Sequence, residues 1–265
     1  MSHPLSNVHP DAQIGKNVTI SPFVTIYPDV KIGDNTWIGP NVTIMDGARI
    51  GENCKIFPGA VISAIPQDLK YQGEETTVEI GNHTTVRECV TINRGTKAVG
   101  TTRVGDHCLL MAYVHIAHDC IVGNNCILVN NVGLAGEIQL GDFVTLGGAT
   151  IVHQFVRIGE HAFVGGGSKV RIDVPPYIKA DREPLSYMGV NSVGLKRRGF
   201  SQECINDIQE IYRTIYLRGM NNTQALEMIE KEFAPGPERD AIITFIRESK
   251  RGIIRGYHRA VNTTT

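Results

Sequence analysis

From Val8 to Val170 nearly every sixth residue is aliphatic, and that spacing limits what the chain can fold into before any motif is considered. The column runs Val8, Ile14, Ile20, Ile26, Ile32, Ile38, Ile44, Ile50, Ile56 and Ile62, continues with Ile80, Val86 and Ile92, and resumes from Val104 to Val170. Only Asp68, Glu74 and Ala98 interrupt it. An amphipathic helix repeats every ~3.6 residues and a half-buried strand alternates, so neither produces this pattern. A stack of hexapeptide coils does. Each hexapeptide supplies one short strand and one corner, three of them close a triangular coil of about 18 residues, and coils stack about 4.8 Å apart. Gly directly after the column residue, as in Ile32-Gly33, Val104-Gly105 and Val122-Gly123, is expected to serve corners that need an unusual backbone conformation. Asn, Asp and Pro supply the remaining turns.

The column keeps its phase across both breaks, so residues 63–79 and 93–103 are expected to be loops thrown out from an unbroken stack. Long loops in a compact repeat are more often functional than decorative. The hexapeptide pattern ends near Pro175-Pro176, and a different chain follows. Ser201 can cap a helix whose apolar positions Ile205, Ile208, Ile211, Tyr212, Ile215 and Tyr216 recur at helical spacing, with Gly219 to stop it. A second helix is expected from Thr223 to Phe233, ended by Pro235-Gly236-Pro237, and a third from Glu238 to Lys250 before Gly252. The expected division is a coil stack over residues 1–190 and a helical domain over 191–265.

A net charge of -1 excludes a globally basic nucleic-acid binder, and no stretch approaches the ~20 apolar residues of a transmembrane segment. The first residues lack the apolar run of a secretory signal, so the cytoplasm is the expected location. Of the six cysteines, Cys54, Cys108, Cys120 and Cys126 fall two residues before a column residue, where Ala48, Ala60 and Ala162 also stand. They read as small packing residues. Cys89 and Cys204 have no ligand-like neighbour, so no disulfide or metal framework is indicated.

Histidine is where chemistry enters. His118 lies 18 residues before Gly136, and Gly136 lies 17 before His153, which stacks the three on successive coils about 5 Å apart. A general base at His118 and a backbone N–H at Gly136 can then serve one carbonyl, the first activating an attacking hydroxyl and the second holding the oxyanion. Asp119 follows His118 and can orient an imidazole. Taken singly, each histidine is equally an ordinary corner residue. His115 and His118 with a third His also suit a metal site of the kind found in hexapeptide hydratases, but Gly136 and Glu137 stand where a further ligand would help.

A set of unrelated motifs narrows the choice. Gln67-Asp68-Leu69-Lys70-Tyr71, Thr91-Ile92-Asn93-Arg94-Gly95-Thr96, His115-Ile116-Ala117-His118-Asp119-Cys120, Leu134-Ala135-Gly136, Val152-His153-Gln154-Phe155, Asp173-Val174-Pro175-Pro176-Tyr177 and Gly194-Leu195-Lys196-Arg197-Arg198-Gly199-Phe200 occur in this order. Together they resemble the UDP-N-acetylglucosamine O-acyltransferase family of lipid A biosynthesis, from the first coils through the helical tail. The resemblance implies an all-β solenoid plus α: a left-handed parallel β-helix of hexapeptide repeats with a C-terminal helical domain. The hand comes from the resemblance alone, because parallel crossovers are normally right-handed. It further implies a homotrimer with sites between neighbouring stacks, an acyl carrier protein thioester as donor, UDP-N-acetylglucosamine as acceptor, no cofactor and no metal.

In the same terms, His118 is the base that deprotonates the sugar 3-hydroxyl, Asp119 supports it, and the Gly136 backbone stabilises the oxyanion. Gln67, Asp68 and Lys70 are expected to contact the nucleotide sugar or acyl group. His115, His153, Gln154, Asn191, Arg197 and Arg198 are expected to hold substrate, the two guanidinium forks suiting a pyrophosphate. Gly166 occupies the position that limits acyl-chain length, and with no side chain there the groove stays open to a long 3-hydroxyacyl chain. The chain departs from the family at Glu137, where a His is usual, and at Val193, where an acidic residue is common. Both touch the acceptor side and bear on whether a 3-amino sugar is accepted. No Ser or Cys pairs with the base as an activated nucleophile, so direct transfer is expected. The rivals are an N-acyltransferase on acylated UDP-glucosamine, a coenzyme A-dependent acetyl- or succinyltransferase, and a non-catalytic scaffold with no need of His118.

Overall fold

The computed structural model describes residues 2–256, so residues 257–265 of the expected helical domain lie outside the described residues. From Asn7 to Val170 each column residue lies in a short strand, most often of two residues, and a corner leads to the next. Asn7–Val8, Gln13–Ile14 and Thr19–Ile20 open three sheets that the chain then visits in rotation. Each strand pairs in parallel with the strand of the same sheet one coil on, as in Ile116↔Leu134 and Val122↔Leu140. The sheets are the three walls of a left-handed parallel β-helix. Its interior is filled by the column, with Ile38, Ile56, Ile92, Leu110, Ile116 and Leu134 fully buried.

The corners use two devices that the repeat alone does not separate. Left-handed backbone falls three residues after the column residue, where Asn17, Asn35, Asn53, Asn125 and Asn131 have φ of 56°, 58°, 55°, 56° and 62°. Asn tolerates this region better than most residues with a Cβ. The Gly directly after the column residue has no such φ, which corrects the expectation made for Gly33, Gly105 and Gly123. These glycines answer to close approach: a Cβ on Gly33 would lie 2.6 Å from Glu52 N, and one on Gly123 would lie 2.5 Å from Asp142 Oδ1. Coils about 4.8 Å apart leave no room there for a side chain. Two residues before the column, small donors bond the next coil: Thr36 Oγ1 donates to Gly51 O (3.0 Å) and Cys126 Sγ to Gly141 O (3.2 Å). All six cysteines are free thiols.

Strands Val61–Ala64, Thr77–Ile80, Thr91–Asn93 and Thr101–Val104 run further than the hexapeptide requires, so the excursions occupy 65–76 and 94–100, narrower than the breaks suggest. The register explains why the phase survives them. Partners lie 18 residues apart over most of the stack (Ile116↔Leu134), 30 across the first excursion (Ile62↔Ile92) and 24 across the second (Ile92↔Ile116). The insertions thus amount to whole hexapeptides. Both leave the corner between the first and second sheets, on the two coils immediately before the one that carries His118.

After Val170 a hairpin of strands Ile178–Asp181 and Ser186–Val190 extends the third sheet, an element the periodicity did not signal. Four helices follow: α1 Ser192–Arg197, also unsignalled, α2 Gln202–Leu217, α3 Asn222–Glu232 and α4 Pro237–Glu248. Ser201 caps α2 by accepting from Cys204 N–H (3.1 Å), and Asn221 and Gln224 form a capping box on α3. Gly219 follows α2 at φ 71°, the left-handed stop its position suggests. Tyr212 of α2 is buried and donates to Pro176 O (2.6 Å). Asp173 accepts from Arg157 N–H (2.9 Å) and Ser249 O–H (2.7 Å), joining the C-terminal segment to the last coils. No described helix is long and apolar enough to cross a membrane.

The corner analysis separates two substitutions that look alike in sequence. Gly33→Ala should lower stability by about 1–3 kcal/mol through overpacking. Asn35→Gly should change it by less than about 1 kcal/mol, because Gly accepts positive φ freely. Denaturant midpoints of the two variants against the parent chain check both.

Candidate active site

The corner between the first and second sheets carries, on five successive coils, the excursion 65–76, the excursion 94–100, then His118-Asp119, Gly136-Glu137 and His153-Gln154. Stacking alone brings these together. His118 is 8% exposed and Asp119 1%, and Asp119 takes the left-handed corner conformation at φ 61°. In that conformation its carboxylate folds back onto its own neighbour, with Oδ2 2.8 Å from His118 Nδ1. Asp119 also accepts from Thr96 N–H (2.9 Å), Thr96 O–H (2.6 Å) and Val99 N–H (3.3 Å), all from the second excursion. A carboxylate facing three other donors acts as an acceptor toward the imidazole. In the neutral imidazole this bond selects the tautomer with the proton on Nδ1 and the lone pair on Nε2.

The first excursion reaches the other side of the ring. Asp68 Oδ2 lies 3.7 Å from His118 Nε2, and Asp68 Oδ1 accepts from Lys70 N–H (2.9 Å) in a local turn. The base of this excursion is held from the next coil: Asn93 Nδ2 donates to Ile65 O (2.8 Å) and Arg94 Nε to Ser63 O (3.2 Å). Gln67 and Lys70 are exposed beside Asp68. Gly136 packs against the imidazole so closely that a Cβ would lie 2.5 Å from His118 Nε2, although its φ is not left-handed. Its N–H has no acceptor among the described residues. The donor is therefore free beside the Nε2 edge of the imidazole.

Cys120, next to this pair, is no nucleophile. Burial pushes its thiol up to about 12, and Sγ donates to Ala135 O (3.0 Å). Glu137 Oε1 accepts from Gln154 Nε2 (3.4 Å), and Arg251 of the C-terminal segment donates to Gln154 O (3.0 Å) beside exposed His153. His115 stands on the outer face of the first sheet with Nδ1 2.7 Å from Thr91 Oγ1, and burial lowers its pKa. Among the described residues no three His, Cys, Asp or Glu converge on a point that suits a metal ion. A cavity of about 670 Å³ lies on the second-sheet side of this corner, lined by Asp119, Glu137, Phe155, Arg157 and Arg251. His118 does not line it.

The remaining expected residues are not brought to this corner. Gly166 is exposed at the corner between the third and first sheets, stacked on Gly148, and a Cβ there would meet Gly148 O at 3.1 Å. Asn191, Arg197 and Arg198 sit at the corner between the second and third sheets. Asn191 is buried, caps α1 by accepting from Gly194 N–H (3.3 Å) and donates to His161 O (3.0 Å). Arg198 bonds Phe143 O (3.3 Å) with its guanidinium 5.0 Å from the Phe143 ring centroid, while Arg197 is exposed. Burial, with the Arg198 charge nearby, lowers His161 to about 4, so this imidazole is neutral near pH 7. One chain thus spreads the expected residues over all three corners of its coil. Sequence reasoning missed Thr96, Thr102 and Val99. The signal was available, because the phase of the breaks assigns both excursions to the corner of His118.

A family model described as Udp N-acetylglucosamine O-acyltransferase, domain 2, matches residues 173–254, and one for bacterial transferase hexapeptides matches residues 29–64 and 101–136. An acyl-(acyl-carrier-protein)–UDP-N-acetylglucosamine O-acyltransferase of Paracidovorax citrulli is 50% identical over 258 residues, covering 96% of this chain and 98% of that protein. The enzyme of the same name from Thiobacillus denitrificans is 44% identical over 254 residues, with the same two coverages of 96% and 98%. Among solved structures, a UDP-N-acetylglucosamine acyltransferase from Bacteroides fragilis superposes with a TM-score of 0.94 at 51% identity, over 96% of this chain and 100% of that one. By sequence along almost its whole length and by fold, this chain belongs to the UDP-N-acetylglucosamine O-acyltransferase family.

Proposed function

We propose that this chain transfers a 3-hydroxyacyl or acyl group from an acyl carrier protein thioester to the 3-hydroxyl of UDP-N-acetylglucosamine, the first step of lipid A biosynthesis. The observation that carries the reading is His118, with Nδ1 bound to a buried, multiply bonded Asp119 and Nε2 at the edge where Gly136 offers a free N–H. Nε2 takes the proton of the sugar hydroxyl as its oxygen attacks the thioester carbonyl. The imidazolium that forms is stabilised by Asp119, and the Gly136 N–H receives the developing oxyanion. Collapse of the tetrahedral intermediate breaks the carbon–sulfur bond, and the imidazolium returns its proton to the departing thiolate. No covalent enzyme intermediate is needed, in keeping with the buried thiol of Cys120.

Asp68, 3.7 Å from Nε2, lies where it can accept from the sugar, with Gln67 and Lys70 alongside. His153 and Gln154 flank the same corner one coil beyond Gly136. Gly166 leaves the acyl path open, and Arg197 and Arg198 suit the pyrophosphate. Because these groups occupy three corners of one coil stack, a homotrimer that sets one chain's corner against its neighbour's best supports a complete site. No cofactor or metal takes part in this reading, which places the reaction in the cytoplasm. Glu137 puts a carboxylate beside the acceptor, which makes a 3-amino sugar the comparison of interest.

The assay is mass spectrometry of purified protein with UDP-N-acetylglucosamine, its 3-amino analogue and a ladder of acyl carrier protein thioesters. A singly acylated sugar nucleotide is expected, and His118→Ala should cut its formation by about 10²–10⁴-fold. Near-normal turnover by a folded His118→Ala protein sinks the base assignment. In the same assay Gly166→Met should shift the preferred donor to a shorter chain, and an unchanged ladder would remove Gly166 from the acyl path.

A further inference from the structure

Asp119 is a buried carboxylate at a corner that, on the following coils, needs no loop at all. At Gly136-Glu137 and His153-Gln154 the chain turns directly into the second sheet, whereas the coil before His118 inserts residues 94–100 at this same corner. What the insertion does is visible in its hydrogen bonds. Thr96 donates its backbone N–H to Asp119 Oδ1 (2.9 Å) and its hydroxyl to Asp119 Oδ2 (2.6 Å), so one residue spans both carboxylate oxygens. Val99 N–H is the third donor to the carboxylate and the second to Oδ1 (3.3 Å). From the strand that follows the insertion, Thr102 Oγ1 accepts from Asp119 N–H (2.8 Å). The excursion is itself closed tightly: Gly100 N–H donates to Thr96 O (2.7 Å), Ala98 N–H donates to Thr96 Oγ1 (3.2 Å), and a Cβ on Gly95 would lie 2.4 Å from Thr101 N. Thr96 is 7% exposed, so its hydroxyl meets Asp119 in a buried setting.

We infer that Thr96 is a positioning residue for the acyl transfer. It fixes the Asp119 carboxylate so that Oδ2 holds the His118 Nδ1 proton and the imidazole keeps the tautomer whose Nε2 is the base. Thr96 acts only through Asp119 and His118. The inference rests on the reading of His118 as the base. Oδ2 has two partners, the Thr96 hydroxyl and the imidazole. Without the hydroxyl, the carboxylate has a freer torsion about its Cβ–Cγ bond, and the N–H donors on Oδ1 alone do not hold Oδ2 on the ring.

The test uses full-length protein labelled with ¹⁵N-histidine, in parallel with steady-state kinetics, for Thr96→Val, Thr96→Ala and Thr96→Ser. Thr96→Val is expected to lower kcat about tenfold, the loss that fits one charge-assisted hydrogen bond, with KM for both substrates within about twofold. The His118 ring nitrogens, assigned by their absence in His118→Ala, should report a single Nδ1–H tautomer in the parent and in Thr96→Ser. They should report a tautomer mixture in Thr96→Val. If the valine variant does not fold, the Ala and Ser variants give the same comparison with and without a hydroxyl. Parent-like kcat, or a parent-like tautomer in the hydroxyl-free variants, overturns the inference, as does failure of Thr96→Ser to restore both. Retained turnover in His118→Ala is a different outcome: it removes the base reading, while the tautomer spectra still report whether Thr96 orders the pair.

Discussion

The hydrogen-bond ladder from one coil to the next is the constraint on which the rest of this molecule depends. Amides such as His115 N–H and Gly133 N–H donate to carbonyls on the following coil, Val132 O and Thr150 O, both at 2.9 Å. The ladder holds neighbouring coils at strand spacing, and a closed coil then requires that each residue sit above its counterpart. From this follow the buried column, the corner glycines that have no room for a Cβ, and the Thr and Cys side chains that reach the next carbonyl. The two excursions add whole hexapeptides, so the column keeps its phase across them.

The candidate site uses this stacking as its scaffold. The proposed base His118 and the free backbone donor of Gly136 come from successive coils, and their separation is set by strand spacing and not by a flexible loop. Rigid elements place such groups more reliably than loops do. What stacking does not provide is compensation for a buried carboxylate, which is costly unless hydrogen-bonded. The excursion 94–100 supplies it with donors on both oxygens of Asp119. The excursion 65–76, pinned by Asn93 and Arg94, supplies the group on the far side of the ring. Both loops leave the corner on which His118 stands, which puts them within reach of its imidazole.

The C-terminal elements are fastened to the same architecture at several points. Asp173 ties Arg157 of the coils to Ser249, Tyr212 bonds Pro176, and Arg251 reaches the corner of His153 and Gln154. The segment after α4 therefore touches the His153-Gln154 corner, while the helices cover the end of the stack. The arginines of α1 and the turn after it stay on another corner, so a single chain does not bring all the expected residues together.

The six-residue column by itself determined that the chain is a coil stack, which residues face inward, and that His118, Gly136 and His153 lie on successive coils. Those conclusions need only periodicity, because burial of an aliphatic stripe is a one-dimensional property of the chain. Ser201 and Gly219 likewise mark helix ends by local chemistry that tertiary contacts did not override. The corner glycines were misjudged because close approach of the next coil and a left-handed φ both favour Gly, and composition does not tell them apart. The hairpin 178–190 and α1 carried no periodic signal, being too short and too irregular to have one. Only the tertiary structure decided that Asp119 turns back onto His118, since that depends on a left-handed φ at a corner and on donors 20 and 23 residues away. Only it placed Asn191 in a cap and divided Gly166, His118 and Arg198 among three corners, because the corner a residue occupies is a property of the closed coil and its neighbours, not of the repeat.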